Sequence, residues 1–443
     1  MTKLEGDRRS ILGVASLFVS VVVTSAGCRE KSADRSMIPP KTAPSASASS
    51  APPPAASASF YATRFSKRPS VPAMTEAGRA LFFDPALSRS KKLACATCHD
   101  PRFAYGPPND RATQLGGPDM NQDGLRAVPS LRYLEKLPAF TEHLYEESKG
   151  ESVDQGPTGG HGWDGRANST HDQARLPLTS PFEMANDSVS SVVDTVSHAA
   201  YAPRFSEAFG DDVFADPKRA ENAVLMALEV FQQSPKDFYP YHSRFDEWLR
   251  QKAKLTAQEE RGLSLFNDPK KGNCASCHPS LVRRGAFPGF SDFGFVAVGA
   301  PRNAAISANK DPAFFDLGLC GPLRTDLSAE KKYCGAFRAP TLRNITLRRV
   351  FFHNGVFHRL EDVLEFYAER DTNPKKWFPK KPDGTVDVYN DVPPDYRANI
   401  EQTPPFGRKP GEQPALTRAE IRDMLAFLGT LTDADLAANP AKP

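Results

Sequence analysis

Cys95-Ala96-Thr97-Cys98-His99 and Cys274-Ala275-Ser276-Cys277-His278 are two copies of one pentapeptide, CxxCH, in a chain of 443 residues. The spacing is that of a c-type haem attachment site: two thiols three positions apart add to the two vinyl groups of one porphyrin, and the adjacent imidazole falls under the iron. A zinc half-site or a CxxC redox pair is the competing reading of one such motif taken alone. Zinc sites more often pair CxxC with CxxC, which would leave both histidines without a purpose. Two covalent haems are therefore expected, held by Cys95, Cys98, Cys274 and Cys277, with His99 and His278 as proximal iron ligands.

The residues just upstream repeat as well. Gly78-Arg79-Ala80-Leu81-Phe82-Phe83-Asp84-Pro85 precedes the first pentapeptide, and Gly262-Leu263-Ser264-Leu265-Phe266-Asn267-Asp268-Pro269 precedes the second. Gly, Leu, Phe, Asp and Pro recur in register, with Asp-Pro ending a helix shortly before the cysteines. Thr256 and Glu259 form a capping box at the start of the second copy, and Thr417 and Glu420 another before a helical run from Arg418 to Leu431. A matching run, Arg219 to Gln233, has apolar residues at 224, 225, 228 and 231. The fold expected is mainly α, two tandem cytochrome c-like domains with long ordered loops and little strand, since proline totals 40. Gly150 to Gly162 reads as the most open stretch.

Export is written into the first residues. Arg8 and Arg9 precede an apolar run from Ile11 to Val23, shorter than the roughly 20 residues of a spanning helix and suited to a secretory signal. Thr24-Ser25-Ala26-Gly27-Cys28 resembles a lipoprotein cleavage site with Cys28 as the lipid anchor to a membrane, and simple cleavage to a soluble periplasmic form is the alternative. The domain reading is a signal over 1–27, a disordered Pro/Ala/Ser tether over 28–60, and haem domains over 61–235 and 236–443. Lys and Arg total 56 against 53 Asp and Glu, so nothing points to nucleic acid as a partner. Of seven cysteines, four hold haem and Cys28 takes lipid, which leaves Cys320 and Cys334. A disulfide between them, worth about 3 kcal/mol at most for so short a loop, competes with two buried free thiols.

Further motifs carry a specific resemblance. Trp163-Asp164-Gly165-Arg166-Ala167, His171-Asp172-Gln173-Ala174, Pro177-Leu178, Pro181-Phe182-Glu183-Met184, Pro340-Thr341-Leu342-Arg343-Asn344 and Phe352-His353-Asn354-Gly355 follow in an order that resembles the bacterial dihaem cytochrome c peroxidase family, including its MauG-type branch. The resemblance runs from about Glu76 to Leu431. It implies a peroxide-reactive haem on His99 and an electron-transferring haem on His278. It also implies that Gln173 and Glu183 stand above the reactive iron, that Pro177 walls that pocket, and that Trp163 lies between the haems. A carboxylate beside an amide donor suits O–O cleavage, which moves a proton from the near to the far oxygen.

Two departures set the branch. Ordinary peroxidases of the family place a blocking histidine after the first haem motif, and Pro101 to Ser130 contains none. They place methionine fourteen positions after the histidine matching His353, where this chain has Tyr367, as MauG-type members do. Tyrosinate is a hard anionic donor that favours ferric and higher-valent iron, whereas a thioether raises the ferrous couple. An interdomain calcium site is also implied, using asparagine in an Arg-Asn-Ala-Pro-Ser segment. Here Arg126-Ala127-Val128-Pro129-Ser130 offers no side-chain oxygen at that position, so calcium would rely on backbone carbonyls.

The function expected is hydrogen peroxide-dependent oxidation in the periplasm, with electrons from either a small redox carrier or a partner protein. The alternatives are a MauG-type enzyme that oxidises side chains of a partner protein, and a dihaem cytochrome that only transfers electrons. The remaining histidines, His143, His161, His171, His198, His242 and His358, read as surface or satisfied core groups.

Overall fold

Two helix pairs, each crossing at a glycine, organise the protein. In this computed structural model, which describes residues 59–148, 151–283 and 285–437, the Val71–Phe82 helix packs on Pro217–Gln232 and the Ala257–Asn267 helix packs on Arg418–Gly429. A Cβ added to Gly78 would lie 1.9 Å from the Ala227 carbonyl oxygen, and one added to Gly262 would lie 2.1 Å from that of Asp423. Only glycine permits backbones to approach so closely. Phe231 and Phe427 stand beside these crossings at equivalent places.

The helices start where side chains satisfy their free N–H groups. Thr256 with Glu259 and Thr417 with Glu420 form the two expected capping boxes, and Asp216 caps the Pro217–Gln232 helix through the Arg219 N–H. The apolar stripe Val224, Leu225, Leu228 and Phe231 is buried, as are Ile421, Met424 and Leu428. One hydrophobic cluster draws on residues from Phe60 to Phe238 and a second on residues from Phe245 to Leu431. A smaller third cluster forms around Leu319, Ala336, Val392 and Ile400. The described residues belong to a single compact unit.

Strand is confined to three two-stranded antiparallel ladders among the described residues. Leu115–Gly116 pairs with Gln122–Asp123, Tyr145–Ser148 with Glu151–Asp154, and Phe295–Val296 with Phe337–Arg338. The second ladder corrects the reading of Gly150 to Gly162 as open chain, because Glu151–Asp154 finds a partner strand that its own composition does not announce. The leader, Cys28 and nearly all of the tether lie outside the described residues. Phe60, assigned to the tether, is instead buried, with its ring stacked 3.7 Å from that of His171. Cys320 and Cys334 form a disulfide with Cα atoms 5.0 Å apart. No helix among the described residues is long and apolar enough to cross a membrane.

Candidate haem sites and the junction between them

Each CxxCH segment is a short helical turn that presents its histidine in the same way. The His99 N–H bonds to the Cys95 carbonyl at 2.9 Å and the His278 N–H to that of Cys274 at 2.8 Å. The imidazole Nδ1–H of His99 donates to the Tyr105 carbonyl at 3.0 Å, and that of His278 to the Phe290 carbonyl at 2.9 Å. Tyr105 and Phe290 both adopt left-handed backbone, with φ of 55° and 53°. Their carbonyls also accept the Leu131 and Leu342 N–H groups, each at 3.2 Å. Burial pushes the His99 imidazole down to about 4 and that of His278 below its ordinary value. Both rings are therefore neutral, with Nδ1 committed as donor and Nε2 left as a lone pair.

The four motif cysteines are unpaired, in contrast to Cys320 and Cys334. Burial pushes the thiols of Cys95, Cys98 and Cys274 up to about 12 and that of Cys277 to about 11. A redox CxxC pair needs the opposite, a depressed thiol.

Around His278 lies a largely apolar cleft with a cavity of about 190 Å³, whose walls include Cys274, Cys277, His353, Tyr367, Phe406 and Met424. Tyr367 is carried by the Leu360–Glu369 helix, its ring 5.1 Å from Phe406 and 6.0 Å from Phe352. Burial drives its phenol upward, the sulfurs of Cys277 and Cys274 add to this, and Arg370 opposes them. The phenol thus shares its surroundings with both thiols. Only a strong local cation such as a metal ion would ionise it there.

Glu183 occupies a comparable place at the first motif, since its charge acts on the Cys95 and Cys98 thiols. Its carboxyl is held above the ordinary carboxylate range by burial, against the pull of Ser180 and Arg166. The loop is fixed by Gly117, whose N–H donates to the Glu183 carbonyl at 2.8 Å. A Cβ on the neighbouring Gly116 would meet the Phe182 carbonyl at 2.4 Å. Gln173 and Pro177 lie one turn apart on the Thr170–Thr179 helix. Proline inside a helix cannot donate to the carbonyl four residues back, here that of Gln173. The Pro177 carbonyl accepts the Met184 N–H at 3.1 Å, tying this helix to the Glu183 loop.

Trp163 bridges the two regions. Its ring lines the His278 cleft and also a second cavity of about 20 Å³ bounded by Phe103, Ala104, Pro129, Arg338 and Arg348. Its indole N–H donates to the Ala127 carbonyl at 2.7 Å, and its own carbonyl accepts the Arg338 N–H at 2.9 Å. The ring and the backbone of this residue are thus each tied by one hydrogen bond. His161, two residues away, is buried and pushed down to about 3, by burial first and then by Arg338.

A family model for di-haem cytochrome c peroxidase matches residues 72–254. The methylamine utilization protein MauG of Paracoccus denitrificans is 31% identical over 384 residues, covering 83% of this chain and 90% of that protein. The chain belongs to the dihaem cytochrome c peroxidase family. The cytochrome c551 peroxidase of Nitrosomonas europaea is 28% identical, covering 66% of this chain and 72% of its own. The crystal structure of the diheme peroxidase BthA from Burkholderia thailandensis superposes with a TM-score of 0.72 at 36% identity, covering 83% of this chain and 87% of that one. As a member of this family the protein is a peroxide-dependent oxidoreductase, and the family implies two c-type haems.

The residues present suit that cofactor. Arg338 Nη1 and His353 Nε2 are buried polar atoms without a hydrogen-bond partner, and both residues line the His278 cleft. A macrocycle with an apolar body and two carboxylates would satisfy such donors where an apolar ligand would not. Sequence reasoning missed these groups together with Arg348. His353 enters the sequence reading within the Phe352–Gly355 motif and as the reference for Tyr367, and the signal that could have found Arg338 and Arg348 is that no acidic residue stands near either in the chain.

Proposed function

We propose that the protein is a MauG-type, tyrosine-ligated dihaem peroxidase of two tandem cytochrome c-like domains, exported to the periplasm and tethered there through residues 28–58. The observation that carries this reading is the contrast between the residues facing the two motifs, a raised carboxyl beside Cys95 and Cys98 and a buried phenol beside Cys274 and Cys277. The haems, when bound, supply the redox chemistry and the iron site for peroxide. His99 and His278 would hold them through their Nε2 lone pairs, and Cys95, Cys98, Cys274 and Cys277 through thioethers.

Glu183 takes a proton from the nearer peroxide oxygen and returns it to the farther one, a task suited to a carboxyl titrating above its ordinary range. The Gln173 amide donates to the developing negative charge, and Pro177 keeps the first pocket closed beside it. Trp163, an oxidisable indole with its N–H fixed on Ala127, stands between the two regions as the electron relay. Tyr367 supplies a phenolate to the second site. A small redox carrier in the periplasm provides the electrons. Tyr367 also favours the second reading, oxidation of side chains on a partner protein, because a hard anionic donor stabilises oxidised iron.

Electron paramagnetic resonance of the protein as isolated tests the assignment. One high-spin and one low-spin ferric signal are expected, from the absence of histidine between Pro101 and Ser130 and the presence of Tyr367. Two low-spin signals would remove the open site. Turnover of peroxide with reduced cytochrome c separates the carrier-linked reading from oxidation of a partner protein.

A further inference from the structure

The junction between the two sites is rich in the protein's own cations. Arg348 reaches from the second half to the first, its Nη2 donating to the Val128 carbonyl at 3.1 Å and its Nε to the Val350 carbonyl at 3.2 Å. Arg338 donates through Nε to the Gly162 carbonyl at 3.0 Å, while its Nη1 stays unpartnered. Among the described residues neither guanidinium forms an ion pair. Burial pulls both down to about 10, so both remain charged at neutral pH.

The oxygens around them are already in use. The Ala127 carbonyl accepts the Trp163 indole, the Val128 carbonyl accepts Arg348, and the Pro129 carbonyl faces the His99 imidazole. Asp164 and Asp316 both bind the buried Arg126, at 2.7 and 2.6 Å, and Asp164 also binds Arg166 at 3.0 Å. A calcium ion takes six to eight oxygens at once. Here Ala127 supplies no side-chain oxygen, the Ala127, Val128 and Pro129 carbonyls have donors, Asp164 and Asp316 have arginines, and the remaining charges repel a cation.

We propose that this junction binds no calcium, and that Arg348, through the Val128 carbonyl, provides the positive charge that, beside the Arg126–Asp316 pair, holds residues 126–130 against the second half. The family's metal cross-link is replaced by guanidinium groups that chelators cannot remove. Arg348 is a positioning residue in this scheme, acting on the Val128 carbonyl and through it on the segment that carries the Trp163 acceptor.

Full-length protein with both haems, equilibrated with calcium chloride and then desalted, is expected to carry far less than one calcium per chain by inductively coupled plasma mass spectrometry. A calcium-selective chelator is expected to leave its optical and paramagnetic resonance spectra unchanged. Stoichiometric calcium, or a chelator-induced spectral change that calcium reverses, overturns the proposal. Arg348→Met is expected to perturb the spectrum of at least one haem, and Arg348→Lys to restore it by keeping the charge. A Met variant that folds with wild-type spectra overturns the role of Arg348; if it does not fold, the metal content of the wild type still decides. These readouts do not use peroxide turnover, so they stand or fall apart from the assignment of the catalytic groups.

Discussion

The His99 and His278 sites share a scaffold and differ in what faces it. Both have a helix crossing at glycine, a CxxCH turn, and a left-handed aromatic residue whose carbonyl takes the imidazole N–H and a leucine N–H. The proximal side, which sets haem attachment and imidazole tautomer, is built twice in the same way. Near the motif cysteines, one site has Glu183 and the other has Tyr367, both driven toward their neutral forms by burial. A carboxyl whose titration is raised by burial can still move protons, whereas a buried phenol gives up its proton only to a metal. Under the function proposed above, one duplicated frame yields a proton-handling site and a charge-holding site.

The sharpest way to break this contrast is Glu183→Gln, which keeps size and polarity and removes the proton carrier. The reaction with peroxide should slow by about 10²–10⁴-fold in stopped-flow measurements. In the wild type the rate should rise with pH through the raised Glu183 titration, because the carboxylate form accepts the first proton, and this limb should vanish in the variant. A native rate with both haems retained would leave the first site without its distinguishing residue, and pure electron transfer would become the leading reading.

Tyr367→Met tests the other side. The second haem's reduction potential should rise on the order of 0.1 V, a fraction of the roughly 0.8 V that axial ligands span. An unchanged potential in spectroelectrochemical titration would mean that Tyr367 is not a ligand. Trp163→Phe should leave peroxide consumption at the first site intact while suppressing the matching optical change at the second; simultaneous changes at both would deny the indole its relay role.

The smallest effect probes what the two halves share. Gly78→Ala and Gly262→Ala should each lower stability by about 1–3 kcal/mol, as expected of overpacked contacts, since the new methyl meets backbone at 1.9 and 2.1 Å. Similar losses in denaturant unfolding would support equivalent crossings. A loss at only one glycine would show that the halves are held differently.

Much of this was legible in the chain because the governing interactions are local. A CxxCH turn, a capping box or an Asp-Pro helix stop acts within a few residues, so Thr256 with Glu259 and Thr417 with Glu420 appear in the structure as read. The helical period likewise announced the buried stripe from Val224 to Phe231. The strand at Glu151–Asp154 was not legible, because its partner Tyr145–Ser148, rather than its own composition, makes it a strand.

The sequence by itself determined that there are two haem motifs, a duplicated helical frame and a cysteine pair left over for a bridge, since covalent chemistry and short-range backbone preference depend on neighbours in the chain. Only the tertiary structure decided that Tyr105 and Phe290 turn left-handed to receive the imidazoles, and that Trp163 reaches both cavities. The same holds for Arg338 and Arg348, which end up charged and buried without an ion-pair partner among the described residues, Arg338 feeling only the unbonded charge of Asp164. Burial and the absence of a counter-charge belong to the space around a group, and residues distant in sequence create that space.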